Sequence, residues 1–303
     1  MIVFTILSCI KYAMWLAGVT VADLIMYVSQ SGNPGLMIAV IIYGIIDSIL
    51  NIIAPYVITY FLVMYITHNE KILGFLSKTI SRIVAGKYHN EVSEIISKGS
   101  TRLYSASFII ALVLAITLYY IGLSSSFSEW YPSAKSFYQE LLGYFALVTE
   151  YVMEGTMYAY RSIVVYGVAL AVLTATLVAT VMTKDLEKEL VVLRARGGGR
   201  KDIVRILYGV VFTLVILGLI VGCIAGIIWL RGSLVSVHSS LRGALQSTGL
   251  TTNKTIPELN IVFKPVDIGY ICLIIASLLI LPLVSIFLWF RKPVVEKLRG
   301  VMS

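Results

Sequence analysis

Long apolar runs alternate with short polar segments along this chain, and the runs have the length a bilayer demands. A hydrocarbon core needs about 20 helical residues to cross it. Six runs approach that length: 2–28, 36–66, 106–123, 157–182, 206–230 and 267–290. The second is overlong and is expected to tilt or to extend beyond the core. The polar segments fall at 29–35, 67–105, 124–156, 183–205 and 231–266, followed by a tail from Arg291. The pattern predicts an all-α, polytopic membrane protein with about six transmembrane helices.

One polar segment differs in kind from the rest. Lys184 to Ile203 reads K-D-L-E-K-E-L-V-V-L-R-A-R-G-G-G-R-K-D-I between two apolar runs, in a chain only 13% charged. Its Leu186, Leu190 and Leu193 recur at i, i+4 and i+7, a narrow apolar stripe on one helix face. Gly197 to Gly199 are expected to stop that helix, since glycine tolerates the left-handed cap. The prediction is a short amphipathic helix with a leucine ridge and a charged surround, facing water. Such a helix is either a docking element or a loop resting on lipid headgroups.

Basic residues set the expected orientation. The 67–105 segment holds Lys71, Lys78, Arg82, Lys87, Lys98 and Arg102; the 183–205 segment holds seven more, and the tail four. The alternate segments hold only Lys135, Arg231, Arg242, Lys254 and Lys264. The positive-inside rule then places both termini in the cytoplasm. The sequon Asn253-Lys254-Thr255 falls on the outer side, which makes Asn253 a candidate glycan acceptor. Tyr119, Tyr120 and Trp229 fall near outer span ends, and Tyr104 and Trp289 near inner ones.

Composition narrows the chemistry. The chain is 58% hydrophobic with a mean hydropathy of +0.91, and the apolar runs leave little soluble mass. Cys9, Cys223 and Cys272 sit in those runs and read as small buried hydrophobes. His68, His89 and His238 share no metal-ligand spacing. The net charge of +8 resides beside the spans, where topology explains it without nucleic acid. No G-x-x-x-x-G-K-[ST] occurs, and Gly86-Lys87 continues with tyrosine, so no ATP site and no enzymatic activity of the chain alone are expected. The opening residues lack a basic n-region, and no secretory signal is read in them.

Within the spans a few positions stand out. Gly218, Gly222 and Gly226 recur every four residues and put a flat strip on one helix face. That strip is either a moving interface or static packing. Lys11 and Asp47 fall at matching depth, roughly 14 Å above the inner boundary. They are read as an ion pair across adjacent spans, against Lys11 snorkelling and Asp47 protonated or facing another group. Residues 133–155 carry Phe137, Leu141, Leu142, Phe145, Val148 and Val152 on one face, and a surface helix on the outer leaflet is expected there in preference to a substrate gate. The span pair 2–66 echoes the pair 206–290, with Pro55 and Pro282 in the same place.

The linked motifs give a family resemblance. Glu189-Leu190-x-x-Leu193-Arg194-Ala195-x-Gly197, followed by small residues and the basic pair Arg200-Lys201, resembles the hallmark of the FtsX-like permeases. A glycine-bearing span follows, then a span containing Pro282 and ending in Arg291-Lys292-Pro293-x-x-x-Lys297-Leu298-Arg299. The resemblance covers about 106–303. It implies a four-span permease module (106–123, 157–182, 206–230, 267–290) preceded by a basic cytoplasmic linker at 67–105. Residues 1–66 would be the end of a first module that lacks two spans and its own docking helix. Residues 91–102 would be a short interfacial helix.

By that resemblance the chain is a plasma-membrane permease subunit. Its partners would be a separate cytoplasmic ABC ATPase, which uses ATP-Mg, and a second permease chain or a second copy. Leu186, Glu189, Leu190, Leu193, Arg194, Ala195, Gly197, Arg200 and Lys201 would form the coupling helix. The implied activity is export or outer-leaflet extraction of a substrate. The alternative is an ATPase-driven mechanical signalling protein that controls an extracellular partner.

Overall fold

The structure, a computed structural model, describes residues 10–11, 13–14, 24, 27–28, 34–97, 101–142, 146–185, 199–247 and 257–291. Seven α-helices account for most of them. They are α1 (Pro34–His68), α2 (Glu70–Ala85), α3 (His89–Ser97), α4 (Thr101–Leu142), α5 (Ala146–Asp185), α6 (Arg200–Ser247) and α7 (Pro265–Arg291). A single 3-10 turn, Gly86–Tyr88, joins α2 to α3. Residues 257–264 run without regular secondary structure. Among the described residues no strand occurs, as the all-α reading expects: a backbone in hydrocarbon must satisfy its own hydrogen bonds, and helices do so within one segment.

Three helices contain an apolar stretch long enough to cross a bilayer: Tyr104–Phe137 in α4, Met153–Val178 in α5 and Lys201–Ser239 in α6. They carry the predicted runs 106–123, 157–182 and 206–230. The runs 36–66 and 267–290 are also helical, as α1 and α7, but their described apolar stretches are shorter: Pro34–Ile46, Ile53–His68 and Pro265–Leu281. Most of 2–28 lies outside the described residues. The described residues therefore hold three spans by length and composition, against the six expected.

The helices outrun the apolar runs that announce them. A separate surface helix was expected at 133–155, but α4 continues unbroken to Leu142 and α5 begins at Ala146. The reason is helical register. Leu123, Phe127, Trp130 and Ala134 follow one another at four-, three- and four-residue steps, and all are buried. That spacing holds one face of α4 against the core well after the sequence has turned polar. On α6, Leu230 and Leu234 extend the helix in the same way.

The chain divides into two compact units, each drawing on three stretches. The first comprises Met1–Ile58, Ile116–Tyr166 and Gly226–Gly269. Its core joins α4 and α6 through aromatic rings. Tyr119 stacks on Trp229 with centroids 3.5 Å apart, and Phe127 meets Trp130 edge-on at 6.1 Å. The irregular segment 257–264 is strapped to α4 by hydrogen bonds from unlike donors. Trp130 Nε1 donates to the Pro257 carbonyl (2.9 Å), and the Val262 amide donates to Ser126 Oγ (3.0 Å). At its far end the strap becomes α7 through a capping contact. The Lys264 amide donates to Asp267 Oδ2 (2.6 Å), and Ser125 Oγ donates to the same oxygen (2.5 Å). Pro265 then takes the first helical position, where its missing N–H costs nothing.

The second unit comprises Thr59–Ala115, Gly167–Ala225 and Tyr270–Ser303. Its core gathers Leu73 and Ile80 of α2, Val92 and Ile96 of α3, Ile110 and Leu114 of α4, Ala171 and Ala175 of α5, Leu207 and Leu214 of α6, and Ile274 and Leu278 of α7. The expected basic linker at 67–105 is largely structured within it. α2 starts with Asn69 as N-cap, its side chain accepting from the Ile72 amide (3.3 Å). It stops at Gly86, whose φ of 56° suits glycine. Ser77 Oγ and Ser93 Oγ lie 2.9 Å apart and clamp α2 to α3. The Tyr104 hydroxyl donates to the Ile96 carbonyl (2.9 Å), one of the end carbonyls a helix leaves unpaired.

Ser126→Ala removes the acceptor for the Val262 amide and is expected to cost about 1 kcal/mol locally. Hydrogen exchange of a peptide covering 257–264 should then quicken roughly fivefold. Exchange at the wild-type rate would show that the bond does not hold the strap.

Candidate helix-packing and coupling site

α6 begins where the charged segment ends. The Gly199 carbonyl accepts from the Asp202 amide (3.0 Å) and the Ile203 amide (3.1 Å), which makes Gly199 the residue that opens the helix. Asp202 stands in the first turn, where a carboxylate complements the exposed N–H groups and the helix dipole. Gly199 was expected to help end a preceding helix, whose residues 186–198 lie outside the described ones; the structure shows it at the start of the following helix.

Two glycines let α6 meet α4 backbone to backbone. A Cβ at Gly218 would lie 2.8 Å from the Ser107 carbonyl oxygen and 2.9 Å from Ile110 Cγ2. A Cβ at Gly222 would lie 2.7 Å from the Ala111 carbonyl oxygen and 2.9 Å from Leu114 Cβ. Real Cβ atoms do not tolerate such distances to backbone, so no larger residue fits without moving a helix. Ser107 reinforces the same crossing, its hydroxyl donating to the Leu214 carbonyl at 3.0 Å.

A third glycine, missed by sequence reasoning, faces the other way. A Cβ at Gly209 would lie 2.8 Å from Val92 Cγ2 and 3.0 Å from Ala85 Cβ. Nine residues separate Gly209 from Gly218, which is about half a turn out of phase. So α6 receives the α2–α3 hairpin on one side and α4 on the other. The spacing of the predicted strip could not reveal Gly209, because its partners come from more than a hundred residues upstream.

The hairpin turn also meets the start of α6 electrostatically. Lys87 Nζ lies 4.8 Å over the Tyr88 ring. Its pKa is raised, first by hydrogen bonding and charge interaction with Tyr88 and then by the Asp202 carboxylate, with Arg205 opposing. Lys87 therefore stays cationic at neutral pH beside the first turns of α6.

The remaining sequence-predicted residues are placed as follows. Leu186, Glu189, Leu190, Leu193, Arg194, Ala195, Gly197 and Asn253 lie outside the described residues. Arg200 opens α6, and Lys201 is exposed in its first turn. Gly226 is buried within α6. Lys11 is 1% exposed, while the Asp47 side chain lies outside the described residues. Cys223 is half-buried and Cys272 exposed, and both are free. Among the described residues, no cluster of His, Cys, Asp or Glu could hold a metal ion.

Residues 161–293 match the FtsX-like permease C-terminal family. The matched stretch is under half of the chain. It takes in α5 from Arg161 onward, the charged segment, α6 and all of α7. No curated protein and no solved structure matches the chain.

Gly218→Ala and Gly222→Ala are each expected to lower stability by about 1–2 kcal/mol. Overpacking should outweigh the roughly 1 kcal/mol that alanine gains as a helix former. Gly155→Ala and Gly269→Ala, where a Cβ meets nothing within 4 Å, should be neutral or slightly stabilising. Thermal unfolding in detergent reads all four, and equal melting points would refute the close crossing.

Proposed function

We propose that this chain, with its match to the FtsX-like permease C-terminal family at 161–293, is the permease subunit of an ATP-binding-cassette transporter. The observation that carries this reading is the match itself. In it, the segment 184–199 docks on a separate cytoplasmic ATPase through the Leu186–Leu190–Leu193 ridge and Arg194, with Arg200 and Lys201 at the start of α6 adding basic groups. ATP and Mg²⁺ are used by that partner, and this chain binds no cofactor. The membrane is the plasma membrane, and a second permease chain or a second copy completes the assembly.

The mechanism follows from how α6 starts. Because Gly199 already makes the first helical hydrogen bonds of α6, any movement that reaches Gly199 enters the helix directly. The close contacts at Gly218, Gly222 and Gly209 would carry that movement to α4 and to the hairpin. The resulting change extrudes cargo or extracts it from the outer leaflet. An ion pair between Lys11 and Asp47 would hold the first two helices together meanwhile, in keeping with the burial of Lys11.

Leu190→Asp tests the docking. A charge in the middle of the ridge is expected to abolish co-purification with the partner ATPase, while leaving the protein in the membrane. Undiminished co-purification would overturn the reading. Cargo-free ATP hydrolysis with release of an extracellular activity would reassign the stroke to mechanical signalling. For the ion pair, a cycle of Lys11→Met and Asp47→Leu should show a coupling above about 1 kcal/mol. Additive losses would exclude it.

A further inference from the structure

We infer that the outward face of α2 is a docking surface for anionic phospholipid headgroups. The helix has three faces, read at about 100° per residue. Leu73, Ser77, Ile80, Ser81 and Ala85 are buried against the protein. Next to them, within about 40° of arc, stand the exposed cations Lys71, Lys78 and Arg82. The next arc of about 80° holds Phe75, Thr79, Ile72 and Ile83. Phe75 is 70% exposed and Ile83 is 81% exposed. Two large apolar side chains so open to solvent, beside a row of cations, fit an interface helix: its apolar strip enters the acyl boundary while the basic strip meets phosphates.

Two further observations place this face at the membrane boundary. α2 departs from Asn69, one residue after the apolar stretch Ile53–His68 ends. At its other end, Ala85 packs on Gly209, which lies inside the apolar stretch Lys201–Ser239 of α6. Four residues separate Gly209 from Arg205, the last charged residue before the apolar run, about 6 Å along the helix. Both ends of α2 are thus tied to the edge of hydrocarbon, so the helix must run along it. Its partner in the hairpin makes the contrast. The exposed positions of α3 are Asn90, Glu91, Glu94 and Ser97, with no apolar residue among them. The acidic helix faces water, and the basic, apolar one faces lipid.

The proposal requires only that the chain spans a bilayer, and it holds whether or not an ATPase binds. Full-length protein in phosphatidylcholine nanodiscs, with and without phosphatidylglycerol, tests it. Spin labels at Phe75→Cys and Ile83→Cys, in a background whose three native cysteines are replaced, should be relaxed by oxygen and shielded from a water-soluble nickel chelate. A label at Glu91→Cys should behave in the opposite way. Neutralising Lys71, Lys78 and Arg82 to Gln should weaken phosphatidylglycerol retention, read by native mass spectrometry, about fivefold per residue. All three side chains are exposed, so folding should survive, and circular dichroism checks it. Nickel-accessible labels at both apolar positions would overturn the proposal. So would retention unchanged by the triple substitution. Labels shielded from both reagents only when an ATPase is bound would assign the face to that protein instead.

Discussion

The contact of α4 with α6 at Gly218 and Gly222 is the constraint on which the second unit depends. In lipid, apolar surface gains nothing by leaving water, because no water is there. Helices then hold together by how closely their atoms meet and by hydrogen bonds between them. The missing side chains at Gly218 and Gly222 bring α6 onto the backbone of α4, and the Ser107 hydroxyl adds a polar tie at the same place. Gly209 does likewise for the hairpin on the opposite side. Bulky residues of α6 such as Leu207 and Leu214 fill the space around these approaches.

The first unit solves a different problem. There, an irregular segment has backbone groups that no helix satisfies. Ser126 and Trp130 of α4 supply two of the bonds it needs, and Ser125 holds the Asp267 carboxylate that caps its far end. Ser124, Ser125 and Ser126 are all buried. A run of three serines just past the apolar run is therefore not a weak spot in α4. It is the polar seam on which 257–264 is laid.

Helix type and the centres of three spans were legible because periodicity and hydropathy are local. The helix ends were not. Whether α4 stops near residue 123 or runs to Leu142 depends on Trp130 and Ala134 finding a core, and that core comes from α6 and the strap. The small-residue spacing of Gly218 and Gly222 was visible in the sequence, but Gly209 needed its distant partners. Asp267 offered a signal that went unread: a carboxylate at the edge of an apolar run must have partners when buried. The charged segment stood out most in the sequence, yet only its first two residues, at the end of α5, and its last ones, from Gly199, lie within the described structure.

One joint has a consequence of its own. Asn69 is a single non-helical residue, and it interrupts the chain without freeing it. Its amide donates to the Tyr65 carbonyl, and its carbonyl accepts from Leu73. Hydrogen bonding thus runs from α1 into α2 across the break, so the two axes are geared together. A helix lying on a membrane surface keeps to the plane of that surface, and α1 must follow the angle the joint transmits. α2 acts as an outrigger. With α2 held on that surface, any change in the lean of α1 has to pass through the Asn69 joint.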